Sequence, residues 1–538
     1  MPIIFGLPFL EFNGIVSDHA ARCCIHKKTG YNLINPAIPI PLPAPRPKLK
    51  AQLKTNRRFK AETLKELINT FDTKWGTRLK PHDKVKPFDK LKAVKTRICS
   101  LINTEILRRK TQQLLNEFKA VFEPIPHYDK LPNEVTAEIK LIDPGKPIKT
   151  RNYPCPRKYK EAWHTLIQQH LKNGIIQHSS SPFASPAFII PKADPTVLPR
   201  WVNDYRQLNE NTITDSHPLP RIDDILNDCA KGKIWAKLDM TNSFFQTKLH
   251  PNHVSLTAVS MPFGLYEWLV MPMGLKNAPA IHQRRVTKAL GALIGKICHI
   301  YLDDIIIWSN SIEEHEINIS KVLCALQDAH LYCNPDKTSL FCYDINFLGH
   351  NISECGIEAD TSKTERILNW PTPMTATQVR QFLGLVRYIS VFLPKIADHT
   401  AMLTELTHKE CDKNFPLWEC KHQSASDMIK QIVVSRECLT TIDLNKMPRK
   451  KIFVSTDASD LCSGAVLFFG ETWELARPVA FDSMTFKGAE LNYPVHEKEL
   501  LAIIHALKKW RTDLIGVPFT VFTDHKTLEN FHNQRELS

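Results

Sequence analysis

The stretch His299–Trp308, with the sequence HIYLDDIIIW, decides how the rest of this 538-residue chain is interpreted. β-Branched and aromatic residues flank its two aspartates and favour a strand on each side. Strands this apolar should be buried, and buried carboxylates are costly unless a cation compensates them. The stretch therefore predicts one of two things. It is a hairpin that presents Asp303 and Asp304 to a hard divalent cation, or it is an ordinary turn that contains two aspartates.

Composition narrows the classes of partner. The chain has 70 Lys and Arg against 56 Asp and Glu, a formal net charge of +14 and a pI of about 9.0. This surplus indicates a polyanionic partner, most commonly nucleic acid, although a merely basic protein has the same composition. The 14 cysteines lack the paired spacing of a zinc site, which predicts reduced thiols in an intracellular protein. No apolar run approaches the ~18–20 residues of a membrane span, so we expect no membrane partner.

A third aspartate lies in IWAKLDMTNSFFQTKL, residues 234–249. Asp239 follows an apolar strand-like run and precedes two aromatic residues. Phosphoryl transfer from a nucleoside triphosphate uses two metal ions roughly 3.5–4 Å apart, and carboxylates from separate strands can hold them. Asp239 and Asp303 meet that need if folding brings them together.

Cations upstream and downstream fit the same chemistry. Lys192 and Arg200 stand in PKADPTVLPRWVNDYRQLN, residues 191–209, which is predicted to contain a short hairpin. Arg gives bidentate contacts and Lys a point charge, so the pair suits a triphosphate. As ordinary surface charges they would have no role. Further on, LYCNPDKTSLF contributes Lys337, and FLGH at 347–350 predicts a tight turn.

A second set of carboxylates occurs in the last ninety residues. Asp457 lies in KIFVSTDASDLCSGAVLFF, which is predicted to form two strands around a turn. Glu499 lies near the start of the amphipathic helix HEKELLAIIHALKKWR, and Asp524 is predicted to end the strand in PFTVFTDHK. Together these residues could hold two metal ions. Each alone is more often a surface acid.

In order and spacing, residues from about 120 to 538 resemble the polyprotein of a Ty3/gypsy-type long-terminal-repeat retrotransposon. LDMTNSFFQ (238–246) resembles the palm motif LDLxxGYxQ, with Ser243 in place of Gly, and YLDD resembles the YxDD box. MPMGLKNAPAIHQ (271–283) resembles MPFGLxNAPxxFQ, with Met273 and His282 in place of two Phe. PRWVNDYRQLN resembles the fingers motif, with Asn203 in place of Val. TDAS, KELLAI and TDHK are similar to segments of the family's ribonuclease H domain.

The resemblance implies an α+β fold: a right-hand polymerase of fingers, palm and thumb with an antiparallel palm sheet, followed by a ribonuclease H-like domain. The expected order has five parts. They are a C-terminal remnant of an aspartic protease domain (1–35), a Pro-rich then basic helical linker (36–120), reverse transcriptase fingers and palm (121–350), thumb and connection (351–447) and the ribonuclease H-like domain (448–538). The family's protease Asp segment and its fourth ribonuclease H aspartate are not in the sequence. Protease activity is therefore not expected. The ribonuclease H-like domain is expected to be C-terminally truncated and its nuclease activity incomplete.

The resemblance also implies roles for single residues in an RNA-directed DNA polymerase. Asp239, Asp303 and Asp304 would form the metal site, with Mg²⁺ or alternatively Mn²⁺. Lys192 and Arg200 would bind the triphosphate, Phe244 would exclude a 2′-hydroxyl, and Lys337 would donate a proton to pyrophosphate. Asp457, Glu499 and Asp524 would hold the metal ions of the ribonuclease H site. The implied partners are an RNA template, a DNA primer, their RNA–DNA hybrid and deoxynucleoside triphosphates, in a cytoplasmic retrotransposon particle and the nucleus.

Two other hypotheses remain open at this level. A decayed or domesticated relic would bind nucleic acid without catalysis, although the intact set Asp239, Asp303 and Asp304 argues against decay. An RNA-templated RNA polymerase would need a small residue where Phe244 stands, and no ribonuclease H-like segment would follow it. Oligomeric state cannot be inferred from the sequence.

Overall fold

The computed structural model describes residues 103–524 except 134, 193 and 195, together with the backbone of residues 15–18 and 23–26. The chain divides into two compact units, Met1–Ile98 and Cys99–Ser538. In the first unit, strands β1 (Ile15–Asp18) and β2 (Cys23–His26) pair antiparallel. Of the predicted linker (36–120), residues 103–120 are described and are helical over 103–117. The rest of the predicted linker and of the predicted protease remnant lies outside the described residues.

The described elements of the second unit are short strands and helices, which follow one another in groups. Its strands are β3 (Thr136–Ala137), β4 (Ile176–His178), β5 (Ser185–Ile190), β6 (Arg200–Asn203), β7 (Ile234–Asp239), β8 (Lys248–Leu249), β9 (Val259–Met261), β10 (Gly264–Trp268), β11 (Cys298–Tyr301), β12 (Asp304–Ser309), β13 (Ser339–Cys342), β14 (Asp344–Phe347), β15 (His350–Ser353), β16 (Gly356–Ala359), β17 (Lys451–Ala458), β18 (Cys462–Gly470), β19 (Arg477–Thr485) and β20 (Phe519–Phe522). Its helices are α1 (103–117), α2 (Lys160–Lys172), α3 (Arg206–Glu210), α4 (Ile222–Cys229), α5 (Ala278–Leu290), α6 (Ile312–Asp328), α7 (Thr361–Leu368), α8 (Ala376–Tyr388), α9 (Ala397–Thr404), α10 (Cys420–Val434), α11 (Val495–Lys509) and α12 (Arg511–Leu514).

The central sheet has the order β11-β12-β7-β13, and all of its pairings are antiparallel. Its strand β12 is buried on both faces, as the apolar run after Asp304 predicts. Ile306 packs with Trp235 on one side, whereas Ile305 and Ile307 pack against the core beneath α5 and α6 on the other. This double burial fixes the position of the hairpin that carries the two aspartates.

A five-stranded sheet precedes the central sheet, in the order β4-β10-β9-β5-β6. Helix α2 covers it with Trp163 and Ile167, which are each 2% exposed. Gly174, at φ +66, follows the helix in the left-handed region that favours glycine, as the sequence predicts. The sheet's outer hairpin, β5 and β6, contains Lys192 in its connection and Arg200 at the start of β6.

The chain after the central sheet forms a three-stranded antiparallel sheet, β14-β15-β16, and the helices α7 to α10. A last sheet, β19-β18-β17-β20, pairs β17 and β20 in parallel and packs against α11. The whole is the mixed α+β arrangement that was predicted, with an antiparallel palm sheet and a second sheet domain after it. None of the helices in the described part of the chain is both long and apolar enough to cross a bilayer.

Candidate active site

The turn between β11 and β12 has only two residues, Leu302 and Asp303, because Tyr301 pairs directly with Asp304. Leu302 has φ +54, which is uncommon for a branched side chain and is stabilised here by neighbours. Its N–H donates to Oε1 of Gln283 at 3.0 Å, and the Asp303 carbonyl accepts from the N–H of Met240 at 2.9 Å. The Tyr301–Asp304 box is therefore a constrained hairpin tip.

Strand β7 brings Asp239 to the same tip. In the register of β12 and β7, Asp304 lies directly opposite Asp239, the last residue of β7. Directly opposed residues of an antiparallel pair project from the same face. The structure thus brings together all three aspartates that were predicted to form one site.

Burial is the main cause that raises the pKa of Asp303 above its ordinary value. The hydroxyl of Ser243 opposes that rise by donating to Oδ1 of Asp303 at 2.5 Å. The nearby carboxylates of Asp239 and Asp304 raise the pKa further. The three carboxylates are all partly buried and lie near enough to raise the pKa of Asp303. Such a donor set suits a divalent cation, whose charge would relieve their repulsion.

Two lysines neutralise the other carboxylates. The ammonium of Lys337 lies 3.3 Å from Oδ1 of Asp239, which connects this predicted site residue to the cluster. The ammonium of Lys237 lies 3.0 Å from Oδ1 of Asp304. Sequence reasoning missed Lys237. One feature of the sequence could have identified Lys237. It stands two residues before Asp239 in a predicted strand, and residues two apart in a strand have side chains on the same face.

Phe244 lies beside the cluster on the short 3₁₀ turn Ser243–Gln246 that follows β7. Its ring meets the edge of the His282 ring with centroids 5.7 Å apart. His282 is fully buried, and burial lowers its pKa to about 4, so the ring is neutral at pH 7. Because Phe244 directly follows Ser243, whose hydroxyl donates to Asp303, its ring is a candidate steric wall at this site.

The two predicted triphosphate cations lie on the β5–β6 hairpin. Lys192 is an exposed residue of its connection. Arg200 is exposed at the start of β6, and its guanidinium contacts the Met273 sulfur at 3.3 Å. Nearby, Arg206 forms an ion pair with Asp204 at 2.6 Å and holds the pKa of that carboxyl at about 2. The hairpin therefore presents cations from a different sheet than the carboxylates.

The second predicted cluster also assembles. Ligand atoms of Asp457, Glu499 and Asp524 all lie within 4.8 Å of one another. Asp457 lies in β17 and Glu499 in α11, as predicted, whereas β20 ends at Phe522 and Asp524 follows two residues later. Lys395 contacts Oδ2 of Asp457 at 2.5 Å, and that carboxylate raises the pKa of the lysine. The donor set again suits divalent ions, and no sequence pattern pointed to Lys395.

Family models match two segments of the chain. Residues 190–352 match "Reverse transcriptase (RNA-dependent DNA polymerase)", and residues 447–538 match "RNase H-like domain found in reverse transcriptase". The first segment contains the Asp239 and Asp303 cluster, and the second contains the Asp457 cluster. Enzymes of these two kinds generally use divalent metal ions.

Curated relatives are transposon polyproteins. The Retrovirus-related Pol polyprotein from transposon 297 of Drosophila melanogaster is 36% identical over 395 residues, which are 73% of this chain and 36% of the relative. The one from transposon opus of the same species is 34% identical and covers 78% and 43%. The Transposon Tf2-3 polyprotein of Schizosaccharomyces pombe is 35% identical and covers 74% and 30%. The chain thus spans less than half the length of these relatives.

Solved structures support the same fold. The foamy viral protease-reverse transcriptase in complex with dsDNA has a TM-score of 0.69 at 22% identity, over 79% of this chain and 86% of that one. The foamy viral enzyme in complex with an RNA/DNA hybrid has a TM-score of 0.66 at 23% identity, over 79% and 57%. With two family models in the expected order and polyprotein relatives above 30% identity, the chain belongs to the Pol polyproteins of Ty3/gypsy-type long-terminal-repeat retrotransposons.

Proposed function

We propose that this chain is an RNA-directed DNA polymerase that extends a DNA primer on an RNA template. The observation that carries the proposal is the convergence of Asp239, Asp303 and Asp304 at the end of the paired strands β7 and β12. Its membership of a polyprotein family whose model is a reverse transcriptase supports the same activity. The primer 3′-hydroxyl would attack the α-phosphorus of a deoxynucleoside triphosphate. A new P–O bond forms, the bond to the β-phosphate oxygen breaks and pyrophosphate leaves.

Asp239 and Asp303 would hold Mg²⁺, with Mn²⁺ as a substitute. When bound, such ions activate the attacking hydroxyl and neutralise the phosphates. Asp303 has only the Ser243 hydroxyl as a hydrogen-bond donor among its described side-chain contacts, which leaves carboxylate lone pairs for a cation. Lys337 has a side chain that is 64% exposed, so it can leave Asp239 at little cost and give a proton to the departing pyrophosphate.

Selection of the nucleotide would rest on residues from both sheets. Lys192 and Arg200 would bind the triphosphate from the β5–β6 hairpin, since both are exposed cations. Phe244 would lie against the sugar and exclude a 2′-hydroxyl, with the buried His282 ring supporting it from behind. Positioning of this kind supplies much of the rate of phosphoryl transfer.

The nucleic-acid partners would be the RNA template, the DNA primer and the RNA–DNA hybrid. The net charge of +14 suits backbone contacts, so affinity should fall steeply with salt. A related foamy viral enzyme is described in complex with an RNA/DNA hybrid. We further propose that the chain works in a cytoplasmic retrotransposon particle and in the nucleus. Microscopy of a tagged copy would test this, and a copy found solely at the cell surface would refute it.

A matched pair of variants tests the polymerase. Asp303→Asn removes one charge at the hairpin tip, and Asp336→Asn makes the same change at an exposed residue outside the cluster. We expect Asp303→Asn to abolish extension of oligo(dT) on poly(rA) while binding of a labelled hybrid stays within about twofold. Asp336→Asn should extend like the wild type. Wild-type binding without extension would favour the non-catalytic relic instead.

The second cluster supports a ribonuclease H activity on the RNA strand of the hybrid. Asp457, Glu499 and Asp524 would hold Mg²⁺, and Glu499 is well placed because it is 3% exposed and accepts the N–H of Ala458 at 3.1 Å. The test is cutting of an end-labelled RNA in a hybrid with Mg²⁺ present. Glu499→Gln should remove all cutting, and a hybrid left intact by the wild type would refute this activity.

A further inference from the structure

Lys237 lies in the middle of the central sheet, where a charged residue is unusual. It belongs to β7, between β12 and β13, and lies opposite Ile306 and Ser339. Its side chain is only 25% exposed, and that of its partner Asp304 is 26% exposed. A lysine so placed costs free energy unless an anion compensates it. The 3.0 Å contact with Asp304 is that compensation.

The ammonium of Lys237 also contacts the aromatic ring of Phe347. It lies 5.8 Å from the centre of the Phe347 ring, over its face, within the range of a cation–π contact. Phe347 is fully buried and ends β14, directly before the turn at Leu348 and Gly349. Both turn residues have positive φ, at +48 and +72. Lys237 is therefore a physical link between Asp304 and the turn of residues 347–350.

The two lysines of the site differ in their freedom. Lys337 is 64% exposed and pairs with Asp239 in a solvated contact, which is weak and easily exchanged. The side chains of Lys237 and Asp304 are only 25% and 26% exposed, so their ion pair is less screened by water. When a cation approaches the cluster, Lys337 can leave Asp239, whereas Lys237 stays on Asp304.

We propose that Lys237 is a positioning residue of the polymerase site, which keeps Asp304 occupied and couples it to the 347–350 turn, so that Asp239 and Asp303 remain the pair open to metal ions. The inference rests on the proposed polymerase function and assigns different tasks to its three carboxylates. Asp304 then contributes to the site through its ion pair with Lys237, and Asp239 and Asp303 hold the metal ions. Removing the lysine frees a third carboxylate beside the metal ligands and loosens the turn.

Four variants of the full chain test this: Lys237→Met, Lys237→Arg, Asp304→Asn and the double variant Lys237→Met/Asp304→Asn. Primer extension measured over a range of nucleotide concentrations should show a maximal rate that is lower by about tenfold or more in Lys237→Met, with KM for the nucleotide unchanged. Lys237→Arg should recover most of the rate. The double variant should be no slower than the slower single variant, because both changes break the same pair. Lys233→Met is the control, since Lys233 is exposed and pairs with Glu354 instead.

A binding measurement makes the test independent of activity. Mn²⁺ binding to the protein without nucleic acid, followed by electron paramagnetic resonance, should tighten by about threefold or more in Lys237→Met. It should return to the wild-type value in the double variant. Additive rate losses, or Mn²⁺ affinity that is the same in Lys237→Met and wild type, would overturn the inference. An inactive wild type would refute the polymerase function, while the Mn²⁺ measurement would still decide the role of Lys237.

Discussion

Ser243→Ala should move the acid limb of the polymerase pH–rate profile to higher pH. Ser243 is 1% exposed and donates its hydroxyl to Asp303 at 2.5 Å. That bond favours the ionised carboxylate and opposes the rise in pKa that burial causes. Without it, the pKa of Asp303 should rise further. The fraction of enzyme able to hold a cation should then fall on the acid side of the profile, because a protonated carboxyl binds metal poorly.

The size of the shift follows from the geometry. A hydrogen bond to a charged group contributes about 1.5–3 kcal/mol, and one pKa unit corresponds to about 1.4 kcal/mol. Since Ser243 is buried, water cannot readily replace its hydroxyl. We therefore expect the limb to move by about one to two pH units when Mg²⁺ is below saturation. Saturating Mg²⁺ should shrink the shift, because the metal competes with the proton.

The assay is single-turnover extension from pH 5.5 to 8.5 at a fixed, subsaturating Mg²⁺ concentration. Ser243→Gly should give the same shift as Ser243→Ala, since both lack the hydroxyl. Ser320→Ala is the control: that hydroxyl donates to the Glu316 carbonyl on α6 and lies outside the carboxylate cluster. Superimposable acid limbs for Ser243→Ala and the wild type would refute the reasoning.

Three further predictions concern selectivity, stability and the second cluster. Phe244→Val should admit ribonucleotides in primer extension, whereas Phe245→Val should not, because the Phe245 ring packs on Trp268 away from His282; equal selectivity in both variants would contradict a steric role. Burial lowers the pKa of His315 to about 4, so the unfolded chain binds more protons than the folded one between pH 6.5 and 4. The free energy of unfolding should fall by about 2 kcal/mol per such histidine from pH 7 to pH 5, and His315→Gln should lose this part of the slope in urea unfolding. Lys395→Met should tighten Mn²⁺ binding at the Asp457 cluster by up to about fivefold, and unchanged affinity would show that the lysine does not compete.

The sequence was sufficient to predict the site's carboxylates. Asp239 follows an apolar strand pattern, and Asp303 and Asp304 lie between two such patterns. The patterns alone left an ordinary turn open at Asp303 and Asp304, and the resemblance of LDMTNSFFQ and YLDD to the family's motifs was what implied that the three acids share one site. The structure brings them together in the predicted sheet.

The contacts made by these carboxylates were beyond the reach of sequence patterns. The bond from Ser243 to Asp303 depends on a tight 3₁₀ turn after Asn242, which has φ +39. The contact of Lys395 with Asp457 joins two different parts of the fold, and no local periodicity carries such information. The end of β20 at Phe522, two residues before Asp524, likewise depends on the length of its pairing with β17.

Each carboxylate cluster contacts a lysine that lies outside the family motifs, and the physical reason is the same in both clusters. Carboxylates gathered to hold divalent ions repel one another, and the nearest ammonium groups lower that cost. The three lysines differ in the solvent exposure of their side chains. Lys337 and Lys395 are 64% and 68% exposed, whereas Lys237 is 25% exposed. The two exposed lysines can be displaced by a metal ion at small cost, since solvent stabilises them once they leave. Lys237 would be left as a mostly buried, uncompensated charge on the face of the central sheet if it lost Asp304. The exposed lysines therefore act as exchangeable counterions, and Lys237 acts as a fixed part of the site.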